Sequence, residues 1–123
     1  MLKKFRVYLK DGGSLELEFG KFTFDNNSFT IYDAYNSPAS DAFLNFDSVA
    51  AIIPERASDD STGFTVYLKD NVSFKVAAEA FRRDQPPSLN FYYRPDRLIP
   101  NIYVCLTEVI AILPSEGLTR QLW

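Results

Sequence analysis

Phe5-Arg6-Val7-Tyr8-Leu9-Lys10-Asp11 returns 59 positions later as Phe64-Thr65-Val66-Tyr67-Leu68-Lys69-Asp70. Val49-Ala50-Ala51-Ile52-Ile53-Pro54 returns 60 positions later as Val109-Ile110-Ala111-Ile112-Leu113-Pro114. Ser14/Ser73, Phe22/Phe81 and Asp25/Asp84 also match at the first offset, and Phe43/Tyr103 and Leu44/Val104 are near matches at the second. The identities fall on alternating apolar positions and on the turn after them, where a strand and hairpin need them. Self-similarity at a fixed period points to a duplicated unit. The expected units are residues 2–55 and 64–115, joined by a polar linker at 56–63 and followed by a tail at 116–123. The one inserted residue lies in or near Gln85-Pro86-Pro87-Ser88. A unit of roughly 50 residues buries too little surface to be comfortable alone. A single domain over 1–123, with the units packed about a pseudo-two-fold axis, is therefore expected over two separate barrels on a linker.

Within the first unit, Phe5, Val7 and Leu9 alternate with Arg6, Tyr8 and Lys10, the period of a half-buried strand. Asp11-Gly12-Gly13 supplies the positive-φ positions of a tight hairpin. Leu15, Leu17 and Phe19 form the return strand, and Gly20 marks a bend before Phe22 and Phe24. Phe29-Thr30-Ile31-Tyr32 and residues 42–46 read as further strands. Val49 to Ile53 is continuously apolar, so cover on both faces is expected, and Pro54 ends it. The second unit follows this plan except at Ala77-Ala78-Glu79-Ala80-Phe81-Arg82-Arg83, whose alanines and glutamate favour a helical turn. Leu118 and Trp123 are expected to pack the tail onto an apolar face.

Val7-Tyr8-Leu9-Lys10-Asp11-Gly12, then Gly20-Lys21-Phe22-Thr23-Phe24-Asp25 and Phe29-Thr30-Ile31-Tyr32-Asp33-Ala34, resembles the first motif of Sm-like small β-barrel proteins. The likeness covers about thirty residues. In the second unit Asn71 replaces the hairpin glycine and Glu79 stands where Gly20 stands. The Arg-Gly pair of the second Sm motif is absent; Asp47-Ser48 and Thr107-Glu108 occupy its place. The resemblance implies a strongly bent five-stranded unit and carries no RNA-binding activity over. The expected fold class is mainly β with little helix: an internal duplication of two five-stranded, strongly bent antiparallel sheets or small SH3/Sm-like barrels.

The chain has 123 residues, 46% of them apolar and 15% aromatic, enough for a core and unlike a disordered segment. No apolar run reaches the ~20 residues of a membrane span, and Met1-Leu2-Lys3-Lys4 leads straight into an alternating strand. A cytoplasmic location without membrane association is expected. The one cysteine, Cys105, excludes an internal disulfide and reads as a small core residue. The formal charge is −3. Residues 1–60 carry six basic and ten acidic groups, and residues 61–123 carry seven and six, so the halves differ at −4 and +1. An acidic whole disfavours nucleic acid as a partner, because that binding runs on phosphate neutralisation.

There is no histidine. That removes His-based acid–base catalysis, Ser-His and Cys-His nucleophile pairs and most zinc sites. No phosphate loop or dinucleotide glycine motif occurs. Glu16 and Glu18 face Arg6, Tyr8 and Lys10 across a hairpin, which cross-strand pairing explains. No enzyme activity, cofactor or metal is expected. The most suggestive segment is Phe91-Tyr92-Tyr93-Arg94-Pro95-Asp96-Arg97, with Arg82-Arg83 before it, because Tyr and Arg dominate binding hot spots. The competing explanation is a strand with one buried aromatic face and an ordinary charged loop. Tyr92, Tyr93, Arg94, Arg97, Arg82 and Arg83 are the candidate binding residues. Tyr8 and Tyr67 hold equivalent outward positions and mark either contact sites or the seam between units. The expected function is a non-enzymatic protein-binding module, an adaptor or inhibitor of the kind phages and mobile elements carry. A single-stranded nucleic-acid binder using segment 91–97 and a self-associating subunit of a larger assembly are the alternatives.

Overall fold

A computed structural model describes residues 2–25, 28–39, 42–55, 63–85, 88–93 and 97–115. Its strands are β1 Lys3–Leu9, β2 Ser14–Phe19, β3 Lys21–Asp25, β4 Ser28–Tyr32, β5 Leu44–Asn45, β6 Val49–Pro54, β7 Phe64–Leu68, β8 Val72–Val76, β9 Ala80–Gln85, β10 Ser88–Tyr93, β11 Arg97–Leu98, β12 Tyr103–Val104 and β13 Val109–Pro114. Single 3-10 turns lie at Phe46–Ser48, Lys69–Asn71 and Leu106–Glu108. The protein is mainly β with little helix, as expected. No described helix is long and apolar enough to cross a membrane.

The hydrogen bonds draw four antiparallel sheets, ordered β12-β6-β1-β2, β3-β4-β5, β13-β7-β8 and β11-β10-β9. None closes into a barrel, which corrects the small-barrel expectation, and none has five strands. Two features cause this. The chain bends sharply between β2 and β3, so β3 pairs with β4 in a sheet separate from β1–β2. And β12, from the second half, pairs with β6 of the first, Tyr103 opposite Ile52 and Val104 opposite Ala51. The reciprocal pairing of β5 with β13 is not formed among the described residues. The junction is one-way, where a two-fold axis would make it mutual.

Local chemistry explains the turns. The β1–β2 hairpin places Gly12 at φ 95°, and Asp11 Oδ1 accepts from the Gly13 N–H at 2.9 Å. The β7–β8 hairpin solves the same problem without glycine: Asp70 and Asn71 sit at φ 65° and 62°, a region these side chains tolerate best after glycine. At the first bend Gly20 donates its N–H to Tyr32 O at 2.8 Å. A Cβ there would lie 2.3 Å from Asp33 O, so only glycine permits this approach. At the second, Glu79 donates to Tyr92 O at 2.9 Å. The expected helical turn over residues 77–83 does not form. Ala77 and Ala78 are irregular, and Ala80–Gln85 is a strand that sets Phe81 opposite Phe91. Tertiary packing of Phe81, with its ring 5.2 Å from that of Phe64, overrides alanine's helical preference.

The core has two clusters, and each crosses between halves. One gathers Phe5, Val7, Phe19, Phe29, Ile31 and Ile52 with Tyr103 and Cys105. The other gathers Val66, Phe74, Val76, Leu89, Phe91 and Val104 with Ala50, Ala51 and Ile53. The strand β6 thus feeds both cores, and all six of its residues are buried. The both-face cover expected for this run is found. The linker residues 56–62 and the tail 116–123, with Leu118 and Trp123, lie outside the described residues.

Candidate interaction surfaces

The expected Tyr/Arg site is divided by the period of its own strand. Successive residues of β10 face opposite ways. Leu89 and Phe91 are buried, so Tyr93 belongs to their face and Tyr92 to the other. Opposed residues of an antiparallel pair share a face, so Arg97 joins Tyr93 and Leu98 joins Tyr92. Arg82 lies over the Tyr92 ring at 4.7 Å, within cation–π range. In the first half Lys21 lies over the ring of Tyr32, its directly opposed partner, at 5.0 Å. Arg83 is exposed on β9 and follows the parity of Phe81. Arg94 lies outside the described residues. Tyr92 and Arg82 are therefore brought together, and Tyr93 and Arg97 form a second group on the opposite face.

A mixed-charge cleft of about 460 Å³ runs where β1 and β2 meet β8, lined by Lys4, Arg6, Tyr8, Glu16, Glu55 and Lys75. Arg6 and Glu16 face each other in register and bond at 3.0 Å, as expected. Tyr8 stacks on Phe74 with ring centroids 4.8 Å apart. Burial raises the Tyr8 phenol above its ordinary pKa, and the nearby Arg6 opposes this. Tyr8 thus covers the seam, while Tyr67, its counterpart, is 40% exposed. This cleft was not anticipated, because its walls come from opposite halves of the chain.

The second unanticipated feature is apolar. β13 carries the same kind of run as β6 but forms the edge of its sheet among the described residues. Its Ile110 is 66% exposed and Leu113 38%. On the other half, Leu2, Leu15, Leu17, Ile31, Phe43 and Leu44 line a groove of about 450 Å³, joined by Glu18 and Asp33. Phe43 is 69% exposed there and Leu15 43%. Edge strands with exposed apolar residues are templates for pairing. The signal for them was present in sequence: two matching apolar runs, only one of which can take β12 as its neighbour. Compared with known proteins, the chain matches no family model, no curated protein and no solved structure.

Proposed function

We propose that this chain is a non-enzymatic protein-binding module, an adaptor or assembly component, built from a duplicated bent β unit within one cytoplasmic domain. Its contact surfaces are the edge of β13 and the apolar groove beside β5. One observation carries the reading: Val49–Pro54 is buried throughout, whereas the matching run Val109–Pro114 leaves Ile110 and Leu113 exposed on what is, among the described residues, a sheet edge. Natural sheets blunt such edges with charge, bulges or cover. β13 has a register irregularity between Val109 and Ala111 but no charged side chain. A partner strand laid along it would satisfy its outer backbone groups and cover Ile110.

The test is a photo-crosslinking residue at position 110, with position 23 as control, in the native host cell. A protein adduct specific to position 110 supports the reading, and no adduct above the control overturns it. A second contact rests on Tyr92 with Arg82, whose guanidinium lies 4.7 Å from the Tyr92 ring centre. Tyr92→Ala combined with Arg94→Ala leaves the fold intact and weakens partner binding; unchanged affinity removes that contact. If the patch instead stacks unpaired bases, affinity for single strands falls steeply as salt rises.

A further inference from the structure

We infer that the partner of the β13 edge is a second copy of this chain, docked head-to-tail through the groove beside its β5. The inference rests on the reading above and adds the identity, polarity and register of the contact. The template is the junction inside the molecule. There β12 lies on β6 with Tyr103 opposite Ile52 and Val104 opposite Ala51. At offset 60 Tyr103 and Val104 correspond to Phe43 and Leu44, and Ile52 and Ala51 to Ile112 and Ala111. The same pairing between two chains sets Phe43 opposite Ile112 of the second copy and Leu44 opposite its Ala111.

The surfaces match beyond the strand pair. Leu15, Leu17, Ile31 and Leu44 line the open groove. Their counterparts at offsets 59 and 60 are Phe74, Val76, Phe91 and Val104, all buried in one core with Ala50, Ala51 and Ile53 of β6. The groove is thus the surface the second half would present if β6 were lifted away. The counterparts of Ala50 and Ile53 are Ile110 and Leu113, the two exposed residues of β13. Tyr8 stacks on Phe74, and its counterpart Tyr67 meets Leu15, the counterpart of Phe74. Leu15, Phe43, Tyr67, Ile110 and Leu113 are half of the ten exposed large apolar residues among the described residues, and this one contact covers all five. Charge agrees as well. Each contact sets the half of net +1 against the half of net −4. The contact is heterologous, so it propagates into a ring if the rotation closes and a filament if it does not.

Sedimentation equilibrium of the full chain tests this, with Phe43→Glu and Ile110→Glu as single variants. The wild type should exceed its 14.0 kDa chain mass as concentration rises. Each variant alone should associate about thirtyfold more weakly or worse, as for loss of a central anchor. An equimolar mixture should recover a species of two chains and no more, because each variant keeps one intact surface. Both positions are exposed, and circular dichroism checks that the variants fold. As an independent measurement, Leu44→Cys with Ala111→Cys should give a ladder of disulfide-linked chains that wild type lacks, since directly opposed strand residues suit the bond. A wild type that stays monomeric throughout overturns the inference, as does a mixture that stays monomeric, a lone variant that still oligomerises, or an absent ladder. If position 110 then crosslinks to another protein, the binding reading survives without self-assembly. A crosslink only to the chain's own tail 116–123 sinks both.

Discussion

β6 and β13 have nearly the same sequence and opposite circumstances. Val49–Pro54 lies between β1 and β12 and is buried along its whole length. Among the described residues, Val109–Pro114 has β7 on one side only and leaves Ile110 and Leu113 exposed. The difference lies in the neighbour, since the residues hardly differ. A run of apolar residues states what a strand needs; topology decides whether the need is met inside the molecule.

The largest effect tests this contrast directly. Ile52→Ala should cost about 2–5 kcal/mol in chemical unfolding, as for a fully buried isoleucine. Ile110→Ala, on the open edge, should stay within about 0.5 kcal/mol when measured at concentrations too low for association. Equal losses would mean that β13 is as well covered as β6. A smaller effect separates the two bends. Gly20→Ala forces a Cβ against Asp33 O and should lose about 1–3 kcal/mol. Glu79→Ala, at the bend that already carries a side chain, creates no such overlap and should lose less than Gly20→Ala does.

The smallest effect compares Tyr103 with Phe43, its counterpart. The Tyr103 hydroxyl is buried without a hydrogen-bond partner among the described residues. Tyr103→Phe should therefore be neutral or stabilising, by less than about 1 kcal/mol near neutral pH. Burial, with Cys105 beside it, raises the Tyr103 phenol far above its ordinary range. In the unfolded chain that phenol ionises near pH 10, while in the fold it stays neutral. Its contribution is complete below about pH 10 and is lost as pH rises beyond it. Tyr103→Phe should flatten the alkaline fall in stability, and an unchanged slope would place the titration elsewhere.

Much of the local structure was legible. Alternation gave β1 and β2, and Asp11-Gly12-Gly13 gave their hairpin. Gly20 marked a bend whose tightness the close approach of Asp33 explains. The exchange of β12 onto β6 was not legible, because Tyr103-Val104 carries no mark of which strand it will join. The helical turn expected at 77–83 failed because local preference is weak beside the packing of Phe81. The site was less legible than the fold. Tyr92 and Tyr93 are adjacent in sequence and sit on opposite faces, which the two-residue period of a strand already implies. The charged cleft needed both halves in place.

Cys105 lies where the halves join. Its N–H donates to Ala50 O at 2.8 Å, its thiol lies 3.2 Å from the Thr107 hydroxyl, and it is 2% exposed. As the chain's one cysteine, it turns the seam into something that can be timed. A thiol reagent in excess labels it only while β12 is away from β6. Labelling that accelerates with denaturant as steeply as global unfolding means the halves part only when the whole chain does. A shallow dependence means the seam breathes by itself, and the two halves are separately cooperative.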